Sequence, residues 1–278
     1  MSQNYIGKRN TQERKEYKGY PPLKAHLENV LVIVKTAPTP SIGHRETVCT
    51  AGITKSGKWI RLYPLPYRYM NFYNQFSKYQ WIEIEIEKQE KDFRVDSYQP
   101  NFNKIKLGKK LPADKWIGRK EIVLPTISGS LEEIMEKYKN EKISLGIFKP
   151  KEIKKFRIET GEKEWSKKHQ TVLGQRVLFE TQPKPLEKMS YKFSYSFDCN
   201  NEDCKGHELE IFDWELYELY RNMKKKYAFS MDTVLEKVKN KWFNEMWRDD
   251  KDSYLIVGTI YPKPSFIVLG VFWPPKAK

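Results

Sequence analysis

The sequence predicts an α+β fold with a β-rich N-terminal half, a small barrel or a twisted sheet. Its C-terminal α/β half is expected to hold a Cys/His loop, two helices and a closing hairpin. Three observations carry this expectation. Through the first hundred residues the apolar side chains come in β-branched runs or strict alternation, the strand period. Beyond Leu124-Pro125 their spacing becomes helical, and at the end of the chain two apolar runs flank Pro262-Lys263-Pro264. A chain of 278 residues with 39% hydrophobic and 14% aromatic residues has material for a packed core.

Residues 1–26 mix charge and polarity without either period and read as a basic mobile arm, followed by a β-rich domain at 27–125 and an α+β domain at 126–278. NVLVIVKT, residues 29–36, is a β-branched run closed by Pro38 and Pro40, which remove two backbone donors. ETVCTAGIT and WIRLYPLPYR, joined by Lys55-Ser56-Gly57-Lys58, read as a hairpin whose second strand alternates Trp59, Arg61 and Tyr63 against Ile60 and Leu62. At 80–88, Ile82, Ile84 and Ile86 oppose Trp81, Glu83, Glu85 and Glu87, the pattern of a strand with one wet side.

In the second half, Ser130 with Glu133 forms a capping box ahead of Leu131, Ile134, Met135 and Tyr138, and the helix should end near Asn140. SLGIFKPKEIKKFRIE reads as an extended segment, a break at Pro150 and a strand, with a loop over 159–170 and a second double-proline stop at 181–185 after VLFE. Asp213 can cap a helix bearing Leu216, Leu219, Tyr220 and Met223. Ser230 can cap another whose Met231, Val234, Leu235, Val238, Trp242 and Met246 repeat at i, i+3, i+4 and i+7. The two terminal apolar runs then pair as a hairpin, and the two halves are open to sharing one sheet.

With 51 Lys and Arg against 36 Asp and Glu, the formal charge of +15 attracts polyanions, so nucleic acid is the leading partner class, DNA before RNA. The segment 104–120 concentrates seven basic residues against Asp114, and Lys106, Lys109 and Lys110 are its candidate phosphate contacts. Aromatic and basic residues also interleave through Trp59, Arg61, Tyr63, Tyr67, Arg68, Tyr69, Phe72, Tyr73, Phe76 and Tyr79. Flat rings stack on unpaired bases while Arg meets phosphate, which makes Arg61, Tyr63 and Arg68 candidate nucleic-acid contacts; ordinary core aromatics are the rival account. No apolar run reaches the roughly 18 residues that cross a bilayer and the start carries no apolar leader, so the expected location is cytoplasmic, with no membrane partner.

Cys199-x4-Cys204-x2-His207 is the sharpest local motif. Two thiolates and an imidazole in a short glycine-containing loop are soft ligands that suit zinc and argue against magnesium or calcium. Asp198, Asp203, Glu208, Asp213, His169, Cys49 or water are open for the fourth position, and a structural ion pinning the loop to the Asp213 helix is favoured over a catalytic one. Glu46, on a strand of small and apolar residues, is the candidate catalytic base: desolvation would raise its carboxyl and suit it to activating water. It is expected to share a cleft with Arg61 and Tyr63. Cys49 is either a nucleophile lacking a visible partner or a small core residue.

The phrases KTAPTPS, ETVCTAGIT, GKWIRLYPLPYR, SLGIFKPKEI, CNNEDCKGH with IFDWELYELYR, and FIVLGVFWPP together resemble a family of uncharacterised bacterial proteins. The resemblance implies an association with mobile-element and phage-defence gene neighbourhoods and assigns no catalytic residue. No P-loop, G-x-G-x-x-G, H-E-x-x-H or G-x-S-x-G motif is present. The expected function is therefore a nucleic-acid-binding protein, with hydrolysis of a base or backbone, glycosylase- or nuclease-like, as its enzymatic form. A non-catalytic recognition module and an enzyme on a small anionic metabolite are the alternatives.

Overall fold

The computed structural model describes residue 20 and residues 24–89, 91–174, 183–260 and 265–276. The expected arm at 1–26 lies almost wholly outside the described residues, as do VLFE, the start of the second double-proline stop, and the Pro262-Lys263-Pro264 turn.

Six strands build the N-terminal half: β1 (His26–Lys35), β2 (Thr39–Ser41), β3 (Arg45–Thr54), β4 (Trp59–Leu65), β5 (Gln80–Glu87) and β6 (Ser97–Lys110). β1 pairs with both β3 and β5, β5 with β6, β6 in parallel with β4, and β4 with β3. The five strands thus close into a barrel, and β2 extends one side by pairing with β3. Val30, Val32, Val48, Ile60, Leu62, Ile82, Ile84 and Ile86 fill its interior. Closure brings β1 so near β3 that a Cβ on Gly52 would stand 2.4 Å from Val30 Cγ1, so only glycine fits there.

The C-terminal half is α+β, as its apolar periods indicate. α1 (Ile117–Val123) leads into β7 (Ile127–Ser128), α2 (Leu131–Glu141), β8 (Leu145–Phe148), β9 (Glu152–Thr160), α3 (Lys167–Gly174), β10 (Tyr191–Asp198) and β11 (His207–Glu210). α4 (Trp214–Lys226), α5 (Met231–Lys239), β12 (Tyr254–Ile260) and β13 (Ser265–Phe272) complete it. The strands form one sheet in the order β13-β12-β8-β7 and a second in the order β11-β10-β9. The anticipated caps are in place: Ser130 Oγ accepts the Glu133 N–H at 3.3 Å, Asp213 Oδ1 the Glu215 N–H at 2.5 Å, and Ser230 Oγ the Thr233 N–H at 3.3 Å. The Glu133 carboxylate reaches back to the Gly129 N–H, one residue before the usual capping-box partner.

Several elements depart from expectation, among them β6, which carries Lys104, Lys106, Lys109 and Lys110 of the basic segment on a strand. α1 forms within the basic segment, and α3 occupies part of the expected 159–170 loop. β10 was legible but not anticipated: Phe193, Tyr195 and Phe197 alternate inward against exposed or half-buried neighbours.

The halves do not share a sheet; they share a core. Leu31, Ile33, Ala51 and Ile53 on the outer barrel face pack with Leu145, Ile147, Ile256, Ile267, Leu269 and Phe272. Ile256→Ala at this seam should therefore cost about 2–5 kcal/mol and move one common transition for both halves. Guanidinium melts followed by far-UV and near-UV circular dichroism check this, and two separate transitions in the parent protein would refute it.

Candidate functional site

Strand alternation places the site. On β4, Ile60 and Leu62 point into the barrel, so Arg61 and Tyr63 point out toward the C-terminal half. On β3, Cys49 shares the outward parity of Ala51 and Ile53. These side chains form one wall of a cleft of about 420 Å³, within the range of small-ligand sites. Thr259 and Ile260 of β12, Ile267 and Leu269 of β13, and Phe212 form the opposite wall, while Gln89, Lys91, Asp92 and Arg94 come from the β5–β6 connection.

Arg61 is only 4% exposed. Its Nη1 donates to Cys49 Sγ at 3.2 Å and its Nη2 to Ser144 Oγ at 3.1 Å, while Nε has no hydrogen-bond partner among the described residues. Ser144 passes the interaction on, donating from Oγ and from its backbone N–H to the two Asp96 carboxylate oxygens, each at 2.7 Å. No described carboxylate pairs with Arg61 directly. Arg94 differs, since Asp92 grips it through Nη2 at 2.7 Å and Nε at 2.9 Å. Burial pushes the Asp92 carboxyl up, but hydrogen bonds from Arg94 and Ser97 and the Arg94 charge outweigh it and hold it down at about 2. Thr259 Oγ1, on a residue 2% exposed, also has no hydrogen-bond partner among the described residues. The cleft thus offers, between apolar walls, a guanidinium that no described carboxylate pairs with directly and a spare hydroxyl. That chemistry suits a flat group carrying an anion or carbonyl oxygens.

Glu46 does not line this cleft. It shares the parity of Val48 rather than Cys49, and its 1% exposed carboxylate is paired with Arg68 Nη1 at 2.9 Å. Burial raises its carboxyl despite the Arg68 charge, and Oε1 has no hydrogen-bond partner among the described residues. Arg68 therefore belongs with Glu46, and it also donates to the Lys184 carbonyl. The aromatic series divides: Trp59, Tyr67, Phe76 and Tyr79 are core, whereas Phe72 and Tyr73 are each 81% exposed. The basic segment divides too. Lys104 and Lys106 pair across strands with Glu85 and Glu83, Lys109 and Lys110 are exposed, and Arg119 is buried against the Tyr79 ring.

A second cluster lies apart from the cleft. Cys199 follows β10, and the turn closed by the Cys204 N–H on the Asn201 carbonyl at 3.1 Å brings Cys204 Sγ to accept the Cys199 N–H at 3.2 Å, while Gly206, at φ +85°, leads the chain on to His207. His207 opens β11, and its Nε2 lies 2.7 Å from Oε1 of Glu132, in the first turn of α2. Glu132, Cys199, Cys204 and His207 bring one ligand atom each to within 4.8 Å of one another and could hold a metal ion. Burial and the adjacent Glu132 carboxylate push the Cys199 thiol up to about 12, and Glu132 Oε2 has no hydrogen-bond partner among the described residues; a cation placed among them would offset both costs. The fourth candidate ligand thus comes from Glu132, 75 residues before His207 and outside the candidates that the motif's own neighbourhood offers. Asp198 pairs with Lys154 at 2.6 Å, Asp213 caps α4, and Cys49 faces the cleft. The loop is accordingly pinned to α2, not to the Asp213 helix.

A closed five-stranded barrel packed on an α+β half, with a cleft at the seam and a separate group of four residues that could hold a metal ion, defines this protein's class. Residues 127–278 match the family described as Domain of unknown function (DUF8757), more than half of the chain, and residues 26–125 match Domain of unknown function (DUF8758). The chain belongs to the DUF8757 family, whose function is uncharacterised. No curated protein matches it. Among the described residues, no helix is long and apolar enough to cross a membrane.

Asp213 supplies a pH test of the seam. Burial pushes its carboxyl from the ordinary 3.8 up to about 7, and Oδ2 is so enclosed that a Cβ on Gly270 would meet it at 2.7 Å. The folded state then keeps a proton that the unfolded state has lost, so stability should fall as pH rises from about 4 to about 7. Asp213→Asn retains the cap and should flatten that slope; an identical pH profile for parent and variant in urea melts would refute the assignment.

Proposed function

We propose that this protein binds single-stranded nucleic acid, DNA by preference, and receives one base with its phosphate in the cleft beside Arg61. The observation that carries the reading is a buried guanidinium without a direct carboxylate partner among the described residues, set between apolar walls, on a chain of net charge +15. Recognition is favoured over hydrolysis because Glu46 lies outside the cleft lining and Asp92, which lies within it, is engaged by Arg94. Zinc is the proposed ion for the four-residue group: two thiolates and an imidazole are soft ligands, and four protein ligands close the shell as structural sites do. Its role is to clamp α2 onto the β10–β11 hairpin. Three free thiols fit a reducing compartment, and the cytoplasm is the proposed location.

Oligo-dT binding followed by fluorescence anisotropy should weaken steeply with salt, and Arg61→Gln should weaken it about tenfold or more. Lys109→Glu with Lys110→Glu should reduce affinity for all sequences alike. An Arg61→Gln protein with parental affinity and salt slope would overturn the cleft reading.

Protein purified without chelator should carry one zinc per chain by elemental analysis. Cys204→Ser and Glu132→Gln should each lower stability by several kcal/mol, because metal binding is coupled to folding. Metal-free protein with both thiols freely titratable in the native state would remove the zinc assignment.

A further inference from the structure

A second cavity, of about 290 Å³, adjoins the cleft, and Thr39 and Phe212 line both. Phe212 is a fixed partition: its N–H donates to the Val268 carbonyl at 2.8 Å, its carbonyl accepts the Ala37 N–H at 3.2 Å, and its ring meets Tyr217 edge-on at 5.7 Å. The two compartments differ in charge. Arg61, Lys91 and Arg94 line the cleft against the single carboxylate of Asp92, whereas the three basic and three acidic residues lining the second cavity balance. Trp165, Tyr191 and Tyr217 give that second cavity aromatic walls. A neutral aromatic compartment suits a base, and a positive one beside it suits a base with its phosphate.

We propose that the two cavities are consecutive subsites for two adjacent nucleotides of one strand, with Phe212 standing between their bases. This rests on the single-strand reading above and makes its minimal ligand a dinucleotide. Each compartment is sized for one small group, and the shared wall leaves them contiguous.

Titrations of the full chain with thymidine 5′-monophosphate and with the dinucleotide pdTpdT test it. The dinucleotide should bind about 5- to 100-fold more tightly, the gain of stacking one further base. Trp165→Ala should abolish that gain while leaving monophosphate affinity unchanged, and Trp165→Phe, which keeps a ring, should restore most of it; circular dichroism confirms that both variants are folded. Equal affinity for the two ligands, or a Trp165→Ala loss common to both, overturns the two-subsite inference and leaves the single-strand reading standing. Failure of both ligands and of oligo-dT to bind overturns the two together.

Discussion

β1, β3 and β4 each bury two faces, and the rest of the architecture follows from that. Their inward residues, among them Val32, Val48 and Leu62, close the barrel, and their outward residues, among them Ile33 and Ala51, are covered by β8, β12 and β13. A strand covered on both sides reads as a near-continuous apolar run, as NVLVIV does. Polar side chains on such strands have no solvent to point into. Arg61 and Cys49 therefore meet at the seam, where the covering sheet leaves a gap, and line the cleft there.

The seam also carries an electrostatic cost that the fold distributes. Arg61 is held through Ser144 by Asp96 rather than by a direct ion pair, so its charge is anchored without being neutralised. On the far side of β1, Lys35 reaches from the barrel to lie 3.8 Å from the centre of the Tyr67 ring and 5.1 Å from that of Trp214 of α4. Burial lowers its ammonium to about 8. The Thr36–Asp213 bridge brings Asp213 beside this end of β1 in space and ties β1 to the start of α4. Barrel and helix α4 are thus joined by cation–π and backbone contacts.

The Glu132, Cys199, Cys204 and His207 group, which could hold a metal ion, bears on a separate problem. β9, β10 and β11 form a small sheet whose inner face packs against Phe148, Leu216 and Trp242, while its turn from Cys199 to His207 is short and polar. Such a turn has little apolar area with which to hold a position. Ligand bonds from Cys199, Cys204 and His207 to an ion shared with Glu132 would supply that hold and fix where α2 begins.

Elements with a strong period were legible in the sequence alone: the alternation at 80–87, the β3–β4 hairpin, the caps at Ser130, Asp213 and Ser230, and the terminal pair of strands. β10 was equally periodic, and its alternating Phe193, Tyr195 and Phe197 would have found it. The parity of Glu46 against Cys49 and of Arg61 against Ile60 was readable too, but it separates Glu46 from the Arg61 face only with the β3–β4 register that sets Ala51 opposite Arg61. Barrel closure through the parallel β4–β6 pair, the covering of the outer barrel face, and the arrival of Glu132 beside Cys199 were not readable. Local side-chain period records which face of an element is apolar, because burial selects each residue independently. It carries no record of which distant face covers it, and the cleft and the fourth ligand atom exist only once two such faces have met.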